Sequence, residues 1–162
     1  MATISIIMGS TSDFPIMEDA VKFLNEIGID CDYYALSAHR TPELVMEFAK
    51  NAKSKGTKVI IAGAGGAAHL PGVVAAYTAI PVIGVPIKSS NSLDGWDSVL
   101  SILQMPSGIP VATVALNNAR NAAILAAEMI ATGDEQLYAR LIDFKESLKK
   151  KVIDANNKLQ AK

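Results

Sequence analysis

Short runs of β-branched and other apolar residues alternate along the chain with longer segments in which apolar positions recur about every three to four residues. The short runs predict strands, and the longer segments predict helices. Because strands that alternate with helices form a parallel sheet with right-handed crossovers, we predict a three-layer α/β/α doubly wound fold. The predicted strands are Thr3–Met8, Cys31–Leu36, Lys58–Ala62, Pro81–Val85 and Val111–Val114.

Prolines, glycines and short polar residues mark where the predicted helices begin and end. Ser12 or Asp13 caps the first helix, Thr41 with Pro42 opens the second, and Gly133 separates the last two. The predicted helices cover residues 12–27, 42–56, 73–77, 98–104, 117–131 and 135–159.

Two of these helices carry almost no charge. Residues 73–79 are apolar nearly throughout, and the segment after Arg120 has Glu128 as its one charged residue up to Ala131. A helix that is apolar all round should be buried, and a small monomer covers an outer helix poorly. We therefore expect both helices to be buried between subunits of a homo-oligomer.

Length and composition fit one layered domain. The 162 residues are half hydrophobic and only 6% aromatic. The apolar residues are mainly Ala, Val, Ile and Leu, as expected for parallel strands covered by helices on both faces. We predict a single flavodoxin-like domain over residues 1–162, with residues 134–162 as a C-terminal helical extension.

Charge and cysteine content exclude several functional classes. A net charge of −1 provides no long-range attraction to nucleic acid or membranes. The single cysteine, Cys31, excludes an internal disulfide or a cysteine-based zinc site. No apolar run reaches the roughly 20 residues of a membrane span, and no signal peptide precedes the first strand. We therefore expect a soluble, cytoplasmic protein with neither a membrane nor a nucleic-acid partner.

Three polar or glycine-rich loops follow the first three predicted strands, so they should meet at the edge where open α/β folds place their sites. In the first loop, the Ser10 hydroxyl and the backbone N–H groups suit an anion at a helix start. Ionised Asp13 only accepts hydrogen bonds, so it suits a ribose diol better. A simple group of helix-capping side chains explains this loop equally well.

The second loop, Ser37–Pro42, favours a function more clearly. Arg40 offers a planar fork for a phosphate or carboxylate, and Ser37 adds a hydroxyl. His39 lies between them, and histidine is the side chain best suited to move a proton near neutral pH. The alternative is a surface histidine and arginine at a helix start.

The third loop, Gly63–Gly72, contains the other histidine, His69. Its glycines allow a ligand to approach the backbone closely. The run Gly63-x-Gly65-x-x-Ala68 formally fits a dinucleotide fingerprint, but it follows the third strand and no acidic residue lies about 20 positions further on. A fourth segment, Ser89–Pro106, is polar and long enough either to close over a ligand or to be a surface loop. Spacings typical of a metal site, a P-loop or a serine hydrolase are absent.

Together these motifs resemble the PurE family of purine biosynthesis. The resemblance covers roughly residues 2–150 and rests on MGSTSD, SAHRTP, AGAGGAAHLPG, the tripeptide Gly84-Val85-Pro86 and the run from Asp97 to Val111. Arg40 and the Gly66–Pro71 run are typical of the branch that isomerises N5-carboxyaminoimidazole ribonucleotide to 4-carboxy-5-aminoimidazole ribonucleotide.

This resemblance implies an octameric isomerase that needs neither a cofactor nor a metal. It implies that His39 is the catalytic acid/base, that Ser37 lies on the phosphate side, and that His69 lies beside the migrating carboxylate. The substrate-binding residues that it implies are Ser10, Asp13, Ser37, Arg40, Gly65, Gly66, Ala67, His69 and Leu70. No function is implied for Arg120, which departs from the family's pattern.

Three other functions remain open. A direct carboxylase of the same family would use free carbon dioxide. A non-catalytic nucleotide-binding module would bind the ribonucleotide without converting it. A flavin protein of the same fold would be coloured.

Overall fold

The computed structural model describes residues 3–161. Within this range five parallel strands form one sheet in the order β2-β1-β3-β4-β5. This order confirms the flavodoxin-like prediction. The strands are β1 (Ile4–Met8), β2 (Cys31–Ala35), β3 (Val59–Gly65), β4 (Val82–Ile87) and β5 (Ala112–Thr113).

Helices cover both faces of the sheet. In residues 3–161 they are α1 (Phe14–Glu26), α2 (Pro42–Asn51), α3 (Leu70–Tyr77), α4 (Trp96–Leu103), α5 (Ala119–Ala131) and α6 (Glu135–Gln160). One core lies between the sheet and α1, α5 and α6, and the other lies between the sheet and α2, α3 and α4. Each buried strand serves both cores, because successive side chains point to opposite faces. Thus Ile61 belongs to the first core, whereas Ile60 and Ala62 belong to the second.

Two of the boundaries that differ from the prediction concern the glycine-rich loop. Strand β3 continues to Gly65, so Gly63 lies inside the sheet, where an added Cβ would overlap the Met17 side chain. Helix α3 begins at Leu70 rather than at Val73, because Pro71 fits its first turn. The loop between them is therefore short and held at both ends.

The predicted cap of α1 is also different. Asp13 occupies the cap position, but its side chain makes no capping hydrogen bond. A 3-10 turn over Thr11–Asp13 precedes α1, and there Ser10 Oγ accepts a hydrogen bond from the Ser12 N–H. Asp13 is thus the N-cap residue of α1 by position, as predicted, but its carboxyl does not cap the helix and remains available for another role.

The burial of α5 does not require a second subunit. Its small residues pack inside the chain against α1 and α6, and Ala122, Ala123 and Ala126 are fully buried. Arg120 holds the same junction together, because its guanidinium lies 4.8 Å from the Phe23 ring and forms a 2.8 Å ion pair with Glu26.

Helix α4, by contrast, presents a bare apolar face. Trp96, Leu100 and Leu103 recur at helical spacing and remain 68%, 51% and 57% exposed. We call these three residues the α4 face. No helix within residues 3–161 has the length and hydrophobicity of a membrane span.

Candidate active site

A cavity of about 480 Å³ opens at the carboxyl edge of the sheet, between the loops that follow β1, β2, β3 and β4. It lies where open α/β sheets place their ligands. Nine of the ten residues predicted for the site line it: Ser10, Asp13, Ser37, His39, Arg40, Gly65, Ala67, His69 and Leu70.

The two histidines meet at this cavity. His39 follows β2 and His69 precedes α3, and His39 Nε2 lies 2.6 Å from His69 Nδ1. The rings are almost perpendicular, at 87°, with their centroids 4.8 Å apart. Because two nitrogens at this distance share one hydrogen, one ring donates and the other accepts. The contact therefore fixes which nitrogen of each ring can carry the shared hydrogen.

Ser37 and Arg40 form one unit in the second loop. Ser37 Oγ accepts hydrogen bonds from the backbone N–H groups of His39 and Arg40, and from Arg40 Nε. Its own hydroxyl hydrogen can still be donated to a ligand. Arg40 Nη2 also donates to the Gly9 carbonyl over 3.2 Å, which ties the first loop to the second. The pair offers an anion a fixed charge and an adjacent hydroxyl.

Asp13 is a buried carboxyl at the same cavity, with a relative exposure of 6%. Burial raises the pKa of Asp13 above its ordinary value of 3.8, while a backbone hydrogen bond from Ser10 and the positive charge of Arg40 act in the opposite direction. The carboxylate is a ready acceptor for ligand hydroxyls, because it makes no capping bond.

The third loop brings its backbone close to the cavity. Gly66 is the predicted site residue that does not line it. It is buried with φ +59°, a left-handed conformation that favours glycine, and it lies directly beneath Asn91. A Cβ on Gly66 would lie 3.1 Å from Asn91 Nδ2. The glycine therefore allows the chain following β4 to pack against this loop.

The fourth side of the cavity is formed by residues that the sequence motifs did not predict. Ser89, Ser90 and Asn91, which follow β4 after Lys88, line it together with the predicted residues. Their polar composition was visible in the segment Ser89–Pro106, but it did not distinguish a ligand-contacting segment from a surface loop. The strand order β1-β3-β4 places these residues beside the glycine-rich loop.

Within residues 3–161 no cluster of three His, Cys, Asp or Glu side chains could hold a metal ion. The chemical groups at the cavity are two imidazoles in hydrogen-bond contact, one guanidinium, one buried carboxyl, several hydroxyls and a glycine-rich backbone. This set can bind an anionic ligand that carries hydroxyls, and it can move a proton on that ligand.

Comparisons with known proteins agree with this description. A sequence model of the AIR carboxylase family matches residues 3–151. The N5-carboxyaminoimidazole ribonucleotide mutase of Thermotoga maritima is 52% identical over 99% of this chain and 93% of its own length. The phosphoribosylaminoimidazole carboxylase of Schizosaccharomyces pombe is also 52% identical over 97% of this chain, which spans only 28% of that protein.

The fold agrees as well. The crystal structure of Treponema denticola PurE superposes with a TM-score of 0.86 at 31% identity, over 96% of this chain and 97% of that one. A family match over most of the chain and a relative of similar length point to the same assignment. This chain therefore belongs to the AIR carboxylase family, the PurE family that its motifs resemble.

Proposed function

We propose that this protein is an isomerase that converts N5-carboxyaminoimidazole ribonucleotide to 4-carboxy-5-aminoimidazole ribonucleotide in purine biosynthesis. The observation that carries the proposal is the contact between His39 and His69, which places a proton donor between an anion-binding loop and a glycine-rich loop. Several of the most similar relatives, including that of Thermotoga maritima, are named mutases of this kind.

The reaction moves one carboxyl group and one proton. His39 protonates the carbamate nitrogen, the nitrogen–carbon bond breaks, and its electron pair stays on nitrogen while carbon dioxide is released. The ring carbon, an enamine-like nucleophile, then attacks the carbon dioxide and forms the new carbon–carbon bond. His39 removes the proton from that ring carbon and returns to its starting state. No net proton, electron or cofactor is consumed.

The surrounding residues orient the ribonucleotide. Arg40 and Ser37 bind the phosphate, and this distant binding energy holds the imidazole ring in place. Ser10 and Asp13 bind the ribose side. His69 and the backbone of Gly65–Ala67 surround the carboxyl group, with Leu70 as a further contact, and keep water away from the released carbon dioxide.

The rival function within the family is direct carboxylation of aminoimidazole ribonucleotide by free carbon dioxide. This alternative has a specific basis, because the Schizosaccharomyces pombe relative is named a carboxylase. Much of that protein lies outside the region matched by this chain. The name therefore describes a larger protein, whereas the mutases match this chain nearly end to end.

One labelling experiment separates the two activities. The purified protein is given carbamate substrate labelled with carbon-13 at the carboxyl group, without ATP, in an excess of unlabelled bicarbonate. A mutase forms the product at once and keeps the label, whereas a carboxylase forms product that has lost it. A ribonucleotide-binding module gives no product above the protein-free control. A flavin protein is recognised by its visible absorbance.

We also propose that the protein is a cytoplasmic octamer. The α4 face supports association, since a contiguous apolar patch of this kind marks an interaction surface. Helix α3 adds a 43% exposed Tyr77 to the apolar surface. Helix α5 does not support association, because α1 and α6 cover it within the chain.

A further inference from the structure

The segment that follows β4 contacts the glycine-rich loop more closely than a surface loop needs to. A Cβ on Gly65 would lie 2.5 Å from Ser89 Oγ, and a Cβ on Gly66 would lie 3.1 Å from Asn91 Nδ2. The packing of Ser89 leaves no room for a Cβ on Gly65, and that of Asn91 leaves little room for one on Gly66. Ser89 is half-buried and Asn91 is exposed, and both line the cavity, so their packing on the two glycines places them at the site.

Hydrogen bonds anchor this segment on both sides of Asn91. The Lys88 backbone N–H donates to Asn117 Oδ1 over 2.8 Å, and Lys88 Nζ forms a 3.0 Å ion pair with Asp94. Ser92 Oγ donates to Asp97 and accepts from the Gly95 N–H. Because the segment is anchored before and after Asn91, the backbone of Asn91 has a defined position.

The Asn91 side chain is itself oriented. Ser89 Oγ donates to Asn91 Oδ1 over 2.7 Å, which uses the acceptor of the amide and leaves the Nδ2 group as a donor. Among the hydrogen bonds of residues 3–161, Nδ2 has no acceptor, although Asn91 lines the cavity. Asn91 is exposed to solvent where it lines the cavity, so its Nδ2 donor is open to an oxygen of a bound ligand.

The sheet geometry indicates which ligand oxygen this is. The anion-binding loop, which contains Ser37 and Arg40, follows β2. In the sheet β2 lies three strand positions from β4, so the axes of these two strands are about 14 Å apart. The glycine-rich loop, with His69, follows β3 and is the immediate neighbour of Asn91. Asn91 is therefore on the side of the reacting carboxyl group, opposite the phosphate.

We propose that Asn91 donates a hydrogen bond from Nδ2 to the carboxyl group in transit, and that Ser89 is the positioning residue that orients it. This inference rests on the proposed isomerase function. During turnover the carboxyl group exists as carbon dioxide, which is bonded to neither nitrogen nor carbon. A donor at its oxygens retains it in the cavity and stabilises the negative charge that grows as the new bond forms.

Loss of this donor should cause decarboxylation without recarboxylation, and not only a lower rate. Without the Nδ2 donor, part of the carbon dioxide escapes before recapture, and the enzyme releases aminoimidazole ribonucleotide. For Asn91→Ala we expect kcat to fall by about a hundredfold to a thousandfold, as for one lost donor at a developing oxyanion. The ratio of decarboxylated to isomerised product should rise several-fold. Asn91→Asp keeps the shape of the side chain but replaces the donor by an acceptor. The fraction of substrate that it releases as decarboxylated product, here called leakage, should therefore be larger than in Asn91→Ala.

Matched variants test the two residues separately. Ser89→Ala should leak less than Asn91→Ala, and the double variant should leak no more than Asn91→Ala, because Ser89 acts through Asn91. Leu93→Ala is the control in the same segment, because Leu93 is 75% exposed and does not line the cavity. Both products are quantified by chromatography from the labelled carbamate, after subtraction of its protein-free breakdown.

The outcomes distinguish this proposal from the proposed function. If the wild-type protein forms no 4-carboxy product, the isomerase function itself fails. If the wild-type protein isomerises and Asn91→Asp partitions its substrate as the wild type does, the role of Asn91 is refuted while the function stands. A higher KM with unchanged partitioning would also refute it, since that result shows binding without retention of carbon dioxide.

Discussion

His39 Nε2 and His69 Nδ1 are 2.6 Å apart although 30 residues separate them in the chain. A neutral imidazole carries one N–H, so two neutral rings can make this contact only when one nitrogen keeps its hydrogen and the other is bare. The tautomer of one ring therefore determines the tautomer of the other. It also separates their roles, because a ring that holds its neighbour's tautomer need not exchange a proton with the substrate.

The first prediction concerns the proton carrier. His39→Asn removes the group that protonates the carbamate nitrogen, so we expect kcat to fall by at least about a thousandfold, near the upper range for an acid/base group. Ribonucleotide should still bind within a few-fold of the wild-type affinity, measured by calorimetry. Glu43→Gln, an exposed change at the start of α2, is the control. Near-normal kcat in His39→Asn would show that another group carries the proton.

The second prediction concerns His69, the hydrogen-bond partner of His39. His69→Asn keeps a polar side chain but removes the imidazole that contacts His39 Nε2. We expect an intermediate loss of kcat, about tenfold to a thousandfold, on the scale of one electrostatic donor. The double variant should be hardly worse than His39→Asn, since both changes affect one unit. Independent, multiplicative losses in steady-state assays would contradict the coupling.

The third prediction uses the buried carboxyl. Because burial raises the pKa of Asp13, the folded state binds more protons than the unfolded chain above the ordinary value of 3.8. Stability therefore falls as the pH rises through this window, and the loss persists at neutral pH. Asp13→Asn should raise the free energy of unfolding at pH 7 by about 1 kcal/mol while it weakens ribonucleotide binding.

Denaturation at several pH values checks the sign. The gain in Asp13→Asn should shrink as the pH falls toward 3.8, because wild-type Asp13 then becomes protonated as well. Asp19→Asn, at an exposed position of α1, should change stability by less than about 0.5 kcal/mol. A gain in Asp13→Asn that grows on acidification would mean that the carboxylate is stabilising.

The fourth prediction concerns the sheet under the site. A Cβ on Gly84 in β4 would lie 3.0 Å from Val111 Cγ1 and closer still to the Ile102 side chain. Gly84→Ala should therefore destabilise the protein by about 1–3 kcal/mol through overpacking. Gly133→Ala is the matched control, because no atom lies within 4 Å of its Cβ position, and urea denaturation should show less than about 0.5 kcal/mol of change.

The fifth prediction concerns assembly. Leu100→Glu introduces a charge into the centre of the α4 face, so the proposed octamer should dissociate toward smaller species in sedimentation experiments. Lys22→Glu also adds negative charge to an exposed helix, but it lies on α1 and should leave the sedimentation coefficient unchanged. An intact octamer in Leu100→Glu would remove the α4 face from the interface.

The sequence by itself determined the layered fold and the position of the site. Strand periodicity, proline and glycine act over a few residues, and right-handed crossovers bring the ends of parallel strands to one edge. This is why Ser37, Arg40 and the two histidines could be assigned to one cavity before any coordinates. The motifs around His39 and His69 also identified the family.

Tertiary structure decided which groups touch. The contact of His39 with His69, the packing of Asn91 on Gly66, and the cover of α5 by α6 each join distant segments. Local patterns do not encode such distances, because they depend on strand order and on how the layers pack. For the same reason, the sequence showed only that Asn91 is polar. Its place in the cavity wall depends on the pairing of β4 with β3.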